Sequence, residues 1–130
     1  MVDAHGIPLT EAITGANRNE IVLLESLIDS IPEVRGRRRP GKLHADKGYD
    51  YGVARRALEQ RGIEPRIARK GIESSKRLGR HRWVVERSFA WLNQMKRLII
   101  RYERRGDIHE AFLRLGCCLI CFNFLEQGFC

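Results

Sequence analysis

No cysteine occurs before position 117, and the four in the chain are Cys117, Cys118, Cys121 and Cys130. This argues against a disulfide framework, which would need cysteines spread along the chain. Cys118 and Cys121 have the C-x-x-C spacing of a zinc-ligand pair, but no second pair of cysteines or histidines accompanies them. We therefore predict free thiols in the protein core and a reducing compartment.

The chain also lacks internal repeats, low-complexity segments and a recognisable export signal. Its first twenty residues contain three acidic residues and no apolar block, which is unlike a secretory signal. The longest apolar run, Leu115–Leu125, contains Asn123 and follows Arg114. This run is short for a bilayer span, so we predict a buried helix and no membrane partner.

Negative charge is in the minority, with 16 Asp and Glu against 24 Lys and Arg and a net charge of +8. Most of the cations are arginines, whose planar guanidinium suits phosphate groups. A basic domain of this kind favours a polyanionic partner, nucleic acid first. The alternative is a soluble surface that is merely cationic. The basic loop at 33–41 is likewise either a phosphate contact or a solvated linker.

The length of 130 residues fits one globular domain with a modest core. Apolar periodicity and turn residues divide the chain into alternating short strands and helices. The predicted elements are a hairpin at 1–16, a helix at 17–32, a strand at 42–47, a helix at 50–61, a strand at 63–69, a long helix at 80–105 and a helix at 107–126. This order predicts an α/β fold with a small mixed sheet flanked by helices.

The segment "LHADKGYD" places Asp46 at the end of a predicted strand, with Gly48 and Asp50 after it. Asp50 precedes the next helix, and we predict it to be the N-cap of that helix. Asp46 either caps a turn or serves a site, since ligand sites in open α/β sheets gather at the carboxyl ends of strands.

Glu86 is the second candidate, on the predicted long helix within "RWVVERSFAWL". At about 100° per residue, Arg82, Asn93 and Arg97 fall on the same strip of the helix as Glu86. Glu86 either forms a surface salt bridge with Arg82 or acts as a metal ligand. Two carboxylates, one on a strand end and one on a helix above it, would suit a pair of Mg²⁺ ions.

Three segments together carry a family resemblance: "VDAHGIPLTEAITGANRNE", "LHADKGYD" and "GRHRWVVERSFAWLNQMKRL". They closely resemble the C-terminal part of bacterial insertion-sequence transposases of the DDE type (the IS four/five-like group), which have an RNase H-like core. The resemblance implies a truncated RNase H-like fold whose first strand is missing. By position, Asp46 matches the second catalytic Asp, Glu86 the catalytic Glu and Arg82 the signature Arg.

The resemblance further implies a two-metal Mg²⁺ (or Mn²⁺) site held by Asp46 and Glu86. It implies nicking of DNA at the element ends, followed by strand transfer into target DNA. The residues that we expect to contact DNA are Arg82, Lys96, Arg97, Arg69, Lys70 and Arg80. Gly79 and Asn93 depart from the family's signature, which has Tyr and Lys at those positions.

The first catalytic Asp of the family lies upstream of the segment that matches Val2, so we expect little strand transfer by this chain alone. The alternative is a non-catalytic DNA-binding remnant that regulates or inhibits a full-length transposase. The expected partners are DNA and, in addition, a second copy or a full-length transposase, with no small-molecule substrate. An RNA-binding protein is disfavoured because no aromatic RNA-binding motif is present. The expected location is the bacterial cytoplasm, in association with the nucleoid.

Overall fold

A computed structural model describes residues 1–15, 21–33, 36, 39–71 and 75–127, and the side chains of all of these except 21, 75–82 and 127. Within those ranges the expected α/β class is confirmed, with five α-helices and a two-stranded sheet. The elements are α1 (Ile21–Asp29), β1 (Lys42–Ala45), a 3₁₀ turn (Lys47–Tyr49), α2 (Gly52–Glu59), β2 (Glu64–Ile67), α3 (Ser75–Leu92), α4 (Lys96–Ile99) and α5 (Gly106–Gln127).

The chain forms two compact units whose boundary falls within α3. One, here called the sheet unit, is Thr14–His81. The other, the helical unit, is Met1–Ile13 together with Arg82–Cys130. Asp46 therefore belongs to the sheet unit and Glu86 to the helical unit.

The sheet unit is built on a βαβ arrangement in which β1 and β2 are parallel and α2 connects them. Ala45 is paired with Ile67 at the carboxyl end of the sheet. A parallel pair cannot be joined by a tight turn, which is why a helix lies between the strands. The three most deeply buried side chains of the described residues, Ile28, Leu58 and Ile63, all belong to this unit.

The N-terminal segment of the helical unit forms a turn but not the strand that the sequence predicts after it. Val2 and Pro8 make one antiparallel bridge, and Asp3 Oδ1 accepts hydrogen bonds from the backbone of His5 (2.8 Å) and Ile7 (2.9 Å). Beyond Pro8, the Leu9 N–H donates to the Met1 carbonyl oxygen (3.0 Å) and the Met1 amino group donates to the Thr10 carbonyl oxygen (2.6 Å), but no longer strand forms, and the segment packs against α5. There the Cys121 thiol lies 3.8 Å from the Pro8 carbonyl oxygen.

The predicted helix at 80–105 is divided in the structure. α3 ends at Leu92, Met95 has an extended backbone (φ −92°, ψ 109°), and only Lys96–Ile99 is helical beyond it. No Gly or Pro lies at the break, which coincides with close packing against α5. Met95 packs so closely on α5 that a Cβ at Gly116 would lie 2.8 Å from the Met95 sulfur. Packing thus overrides local helix propensity, and Arg97 does not share a helix with Glu86.

The prediction that the apolar run Leu115–Leu125 is buried is wrong for most of its surface. One side of α5 packs inward through Gly116, Cys117 and Ile120, whereas Leu115 is 64% exposed. Cys118 is exposed too, so it is not a core thiol. Gly106–Glu126 has the length and hydropathy of a membrane-spanning helix, and 17% of its most apolar 18-residue stretch is buried. The core helix of a soluble protein also meets those two criteria.

Candidate catalytic and DNA-contacting residues

Asp46 lies at the carboxyl end of β1 with an exposed carboxylate. It caps the 3₁₀ turn, since its Oδ1 accepts a 3.0 Å hydrogen bond from the Gly48 backbone N–H. Its Oδ2 accepts no hydrogen bond from any residue that the structure describes. Asp46 can therefore both cap the turn and serve a binding site, because the cap uses one carboxylate oxygen and leaves the other available.

The missing side chain of Gly48 leaves space for the Asp46 carboxylate. A Cβ at this residue would lie 3.0 Å from Asp46 Oδ1, which is tighter than most Cβ contacts and would require the carboxylate to shift by a few tenths of an ångström. The glycine in "ADKGYD" thus makes room for the carboxylate that its backbone N–H holds.

The prediction that Asp50 is the N-cap of α2 is wrong, and Asp50 is held instead by other residues of the sheet unit. That position is occupied by Tyr51, whose side chain makes no capping bond. Instead, Asp50 Oδ1 accepts from Arg55 Nη2 (2.6 Å) and Nε (3.2 Å), and Oδ2 accepts from the Lys70 backbone N–H (2.8 Å). The Arg55 guanidinium and the Lys70 N–H lower the pKa of the Asp50 carboxyl. Asp50 is structural, as expected, but through different contacts.

The lowered pKa of Asp50 makes a testable contribution to acid stability. A carboxyl whose pKa is lower when folded stabilises the fold above its ordinary pKa of 3.8. That contribution is lost as the pH falls through and below this value. Urea unfolding at pH 6 and pH 3 should therefore show a smaller loss of stability for Asp50→Asn than for the unmodified chain. Arg55→Gln, which keeps the carboxyl and removes its main partner, should also show a smaller loss. Equal losses in all three proteins would contradict this assignment.

Two of the predicted DNA-contacting residues lie at the same sheet edge as Asp46. The Ala68 backbone N–H donates to the Ala45 carbonyl oxygen (3.2 Å), so Arg69 and Lys70 leave β2 where Asp46 leaves β1. The Lys70 ammonium lies 3.8 Å from the centre of the Tyr51 ring. The structure therefore brings together one carboxylate and two exposed cations at the carboxyl edge of the sheet.

Glu86 lies on α3 with an exposed side chain. The buried side of this part of α3 carries Val84 and Ser88, each two residues from Glu86 and therefore on the far side of the helix. The Ser88 hydroxyl fixes that face, since it lies 2.8 Å from the Gly6 carbonyl oxygen. Val85 and Phe89, two large apolar side chains of this helix, are exposed as well.

The predicted pairing of Asp46 with Glu86 stays a prediction, because the two residues belong to different units. The side chains of Arg80 and Arg82 lie outside the described residues. Among the residues that are described, no group of three His, Cys, Asp or Glu side chains could hold a metal ion. Each carboxylate must therefore be judged by its own surroundings.

Of the remaining predicted DNA contacts, Lys96 is exposed and Arg97 has an internal partner. Arg97 Nη1 lies 2.7 Å from Glu103 Oε1, and its guanidinium lies over the rings of Tyr102 and Phe112. The Glu103 side chain is only 7% exposed. Contact of Arg97 with DNA would therefore compete with an ion pair that neutralises a buried carboxylate.

Sequence reasoning missed this buried cluster around Glu103. Burial pushes the pKa of Glu103 upward, but hydrogen bonds from its own backbone N–H and from Arg97, together with the neighbouring charges of Arg97 and His109, lower it overall. Glu103 Oε2 lies 3.9 Å from His109 Nδ1, and neither atom has a hydrogen-bond partner among the residues that the structure describes. No sequence signal could have found the cluster, because it depends on the break after α3.

Comparison with known proteins agrees with the family that the motifs indicate. The family model described as the transposase DDE domain matches residues 1–122. A Burkholderia cepacia protein, assigned as the transposase of insertion sequence element IS402, is 54% identical over 133 residues. The alignment covers 98% of this chain and 63% of that protein, so the chain spans less than two thirds of its relative. No solved structure matches the chain. The chain belongs to the DDE transposase family of insertion sequences.

Proposed function

We propose that this chain supplies two carboxylates and a basic surface to metal-dependent DNA cleavage and strand transfer in the transposition of an insertion sequence. Membership of the transposase family supports the reaction class. The observation that carries the proposal is Asp46. It is an exposed carboxylate at a strand end, held through one oxygen by the Gly48 N–H and beside the cations Arg69 and Lys70.

The chemistry of the donors fits a divalent cation such as Mg²⁺ or Mn²⁺. Magnesium prefers oxygen ligands, keeps several waters and is commonly held by one or two carboxylates together with substrate phosphates. Asp46 offers an oxygen without a competing hydrogen bond from the described residues, and Glu86 offers an exposed carboxylate. Together these two residues would provide a partial ligand set, which DNA phosphate would complete.

When bound, a pair of such ions would activate an attacking hydroxyl and stabilise the leaving oxygen of the phosphodiester. The chain's own residues bind and orient the DNA. Arg69 and Lys70 place positive charge at the sheet edge, where phosphate groups would approach Asp46. Lys96 and Arg82 are the further candidates on the helical unit, and Arg80 is a candidate on the sheet unit.

The resemblance places another catalytic Asp upstream of the segment that begins at Val2. We therefore expect cleavage of element-end DNA from the chain joined to the corresponding upstream segment of a full-length relative, and little or none from the 130-residue chain alone. Mg²⁺-dependent nicking of a labelled element end tests this directly. Equal cleavage by both proteins would contradict the need for a third acidic residue.

DNA binding by the chain should weaken steeply as salt rises. Each phosphate that Lys or Arg neutralises releases counterions, so the logarithm of the binding constant falls linearly with the logarithm of salt concentration. Fluorescence anisotropy with a labelled duplex, from about 50 to 200 mM salt, measures that slope. Arg69→Gln and Lys70→Gln should each reduce the slope by about 1.

Arg105→Gln is the matched control for the salt titration. Arg105 is an exposed cation, but its guanidinium is already paired with Asp107 at 2.6 Å. Its removal should change the slope less than either sheet-edge variant does. A flat salt response of the unmodified chain, or equal effects of all three variants, would contradict a phosphate-binding surface at the sheet edge.

A further inference from the structure

Residues 96–105, which comprise α4 and its link to α5, form a basic segment of the helical unit that we call the basic connector. Five of these ten residues are Lys or Arg, and the single acidic one, Glu103, is already paired with Arg97. Lys96, Arg101 and Arg104 are exposed, and none of the three forms an ion pair with another described residue. The connector therefore carries positive charge that the described residues do not compensate, as a site for a polyanion does.

Tyr102 is the aromatic residue of the basic connector, and most of its surface is open to solvent, since it is 62% exposed. The Arg97 guanidinium lies 5.5 Å from the centre of the Tyr102 ring, a distance at which a cation attracts the face of the ring. An exposed tyrosine alone implies no site. Here, however, the ring stands among exposed cations, and sites for single-stranded nucleic acid combine these same two features.

Contacts with a buried carboxylate order the segment around Tyr102. Arg97 is fixed by its 2.7 Å ion pair with Glu103, whose side chain is almost fully buried, and it also lies over the Phe112 ring of α5. In addition, Arg101 Nε donates a 3.0 Å hydrogen bond to the Glu103 carbonyl oxygen. Tyr102 thus lies between two residues that are bonded to each other. A ring held in this way loses little conformational entropy when a ligand stacks on it.

We propose that Tyr102 stacks on the base of an unpaired DNA nucleotide, with Lys96, Arg101 and Arg104 contacting the phosphates of the same strand. Within a duplex both faces of a base are covered by its neighbours, so a ring on the protein surface stacks mainly on unpaired bases. Such stacking depends little on which base is present, because every base has a π-face. The choice of DNA over RNA rests on the proposed function, in which DNA strands are cut and joined.

Binding of single-stranded DNA by the full chain tests the proposal without any cleavage reaction. Fluorescence anisotropy with labelled oligothymidylate of about 15 nucleotides, in buffer without divalent metal, gives the affinity. Tyr102→Leu should weaken that binding by roughly tenfold or more, because it removes the ring and keeps an apolar side chain. Tyr102→Phe, which retains the ring, should bind within about twofold of the unmodified chain. Affinity for a duplex, which depends on phosphate contacts, should change by less than about twofold in both variants.

Phe122→Leu is the matched control for loss of an exposed ring. Phe122 is 54% exposed and belongs to the helical unit, but it lies on α5 outside the basic connector. Its replacement should leave oligothymidylate binding unchanged, and far-UV circular dichroism should show equal helix content in all of these proteins. Arg104→Gln should reduce the salt slope of oligothymidylate binding by about 0.7, the value for one phosphate of a single strand.

Photocrosslinking gives a second measurement on the unmodified chain. The probe is oligothymidylate in which 5-iodouracil replaces one thymine, since the excited base reacts with an aromatic ring on which it stacks. Irradiation of the complex should join the probe to Tyr102, and mass spectrometry of the peptides identifies the modified residue. Crosslinks at other aromatic residues but not at Tyr102 would overturn the proposal.

Four results of the binding experiments would also overturn it. The unmodified chain does not bind oligothymidylate at low salt, or Tyr102→Leu binds it as tightly as the unmodified chain does. Tyr102→Leu and Tyr102→Phe lose affinity equally, which would assign the effect to the hydroxyl. Tyr102→Leu weakens duplex binding as much as single-strand binding. Oligouridylate binds more tightly than oligothymidylate, which would assign the stack to RNA. A flat salt response with duplex DNA contradicts the proposed function instead, so the two failures are distinguishable.

Discussion

Asp46→Asn and Glu86→Gln are each expected to lower metal-dependent cleavage of element-end DNA by roughly 10³-fold. A bound metal ion supplies several kcal/mol of transition-state stabilisation, and each 1.4 kcal/mol corresponds to a factor of ten in rate. Both substitutions replace a charged oxygen with a neutral amide of the same size, so they remove the ligand charge without creating a cavity. The measurement is single-turnover nicking, in Mg²⁺ and in Mn²⁺, by the chain joined to its upstream segment.

The Asp46→Asn variant should keep its local structure, which makes its result interpretable. The amide oxygen of asparagine can accept the Gly48 N–H as Oδ1 does, so the cap of the 3₁₀ turn is retained. DNA affinity should not fall, because the cap is retained and the neutral amide no longer repels phosphate. A variant that binds DNA normally and no longer cleaves it separates loss of chemistry from loss of binding.

Matched controls come from exposed carboxylates elsewhere on each unit. Glu59→Gln on α2 belongs to the sheet unit with Asp46, and Glu126→Gln on α5 belongs to the helical unit with Glu86. Both should cleave as the unmodified protein does. Cleavage that survives Asp46→Asn or Glu86→Gln would remove that residue from the metal site, whatever the family resemblance implies.

The sheet edge was largely predictable from the sequence because its signals are local. A strand that stops at an acid, followed by a glycine and then by a helix with a clear apolar face, predicts a βαβ unit. The carboxyl end of β1 is then the place to look for a site, and the structure puts Asp46 there. Arg69 and Lys70 arrive at the same edge because the second strand is parallel to the first.

The C-terminal part was predicted less well because its signals are not local. The segment from Arg80 to Arg105 contains no helix breaker, so its sequence indicates one helix. In the structure, the chain instead leaves the helical path at Asn93–Met95 and packs Met95 against α5. The pairing of Arg97 with the buried Glu103 follows from that turn. A contact of this kind is fixed by tertiary packing, which periodicity cannot reveal.

The apolar residues of α5 show the same limit in another form. Composition predicts that a helix with this many large apolar side chains is buried. The inner side of α5 is buried, as predicted. The outer side is not, although it is as apolar as a core helix. Composition gives the amount of surface that prefers to leave water, but not whether the same chain provides the partner.

Leu58→Ala is expected to destabilise the sheet unit by about 3 kcal/mol, because it removes buried methyl groups and leaves a cavity. Leu58 on α2 has no exposed surface, and Ile28 and Ile63 belong to the same buried core. Its carbonyl oxygen also accepts a 3.0 Å hydrogen bond from the Ile63 backbone N–H, so the residue anchors the turn into β2. For a unit of this size, such a loss would lower the midpoint of thermal unfolding by roughly 15 °C.

Native-state hydrogen exchange can assign that loss to the sheet unit, which calorimetry of the whole chain cannot do. The Ala68 amide, which is bonded across the carboxyl edge of the sheet, should exchange about a hundredfold faster in Leu58→Ala. Amides of α5, in the helical unit, should change much less. Val53→Ala, on the exposed side of the same helix, should change stability by less than about 0.5 kcal/mol. Equal acceleration in both units would mean that they unfold together, and the edge that holds Asp46 would then depend on the whole chain.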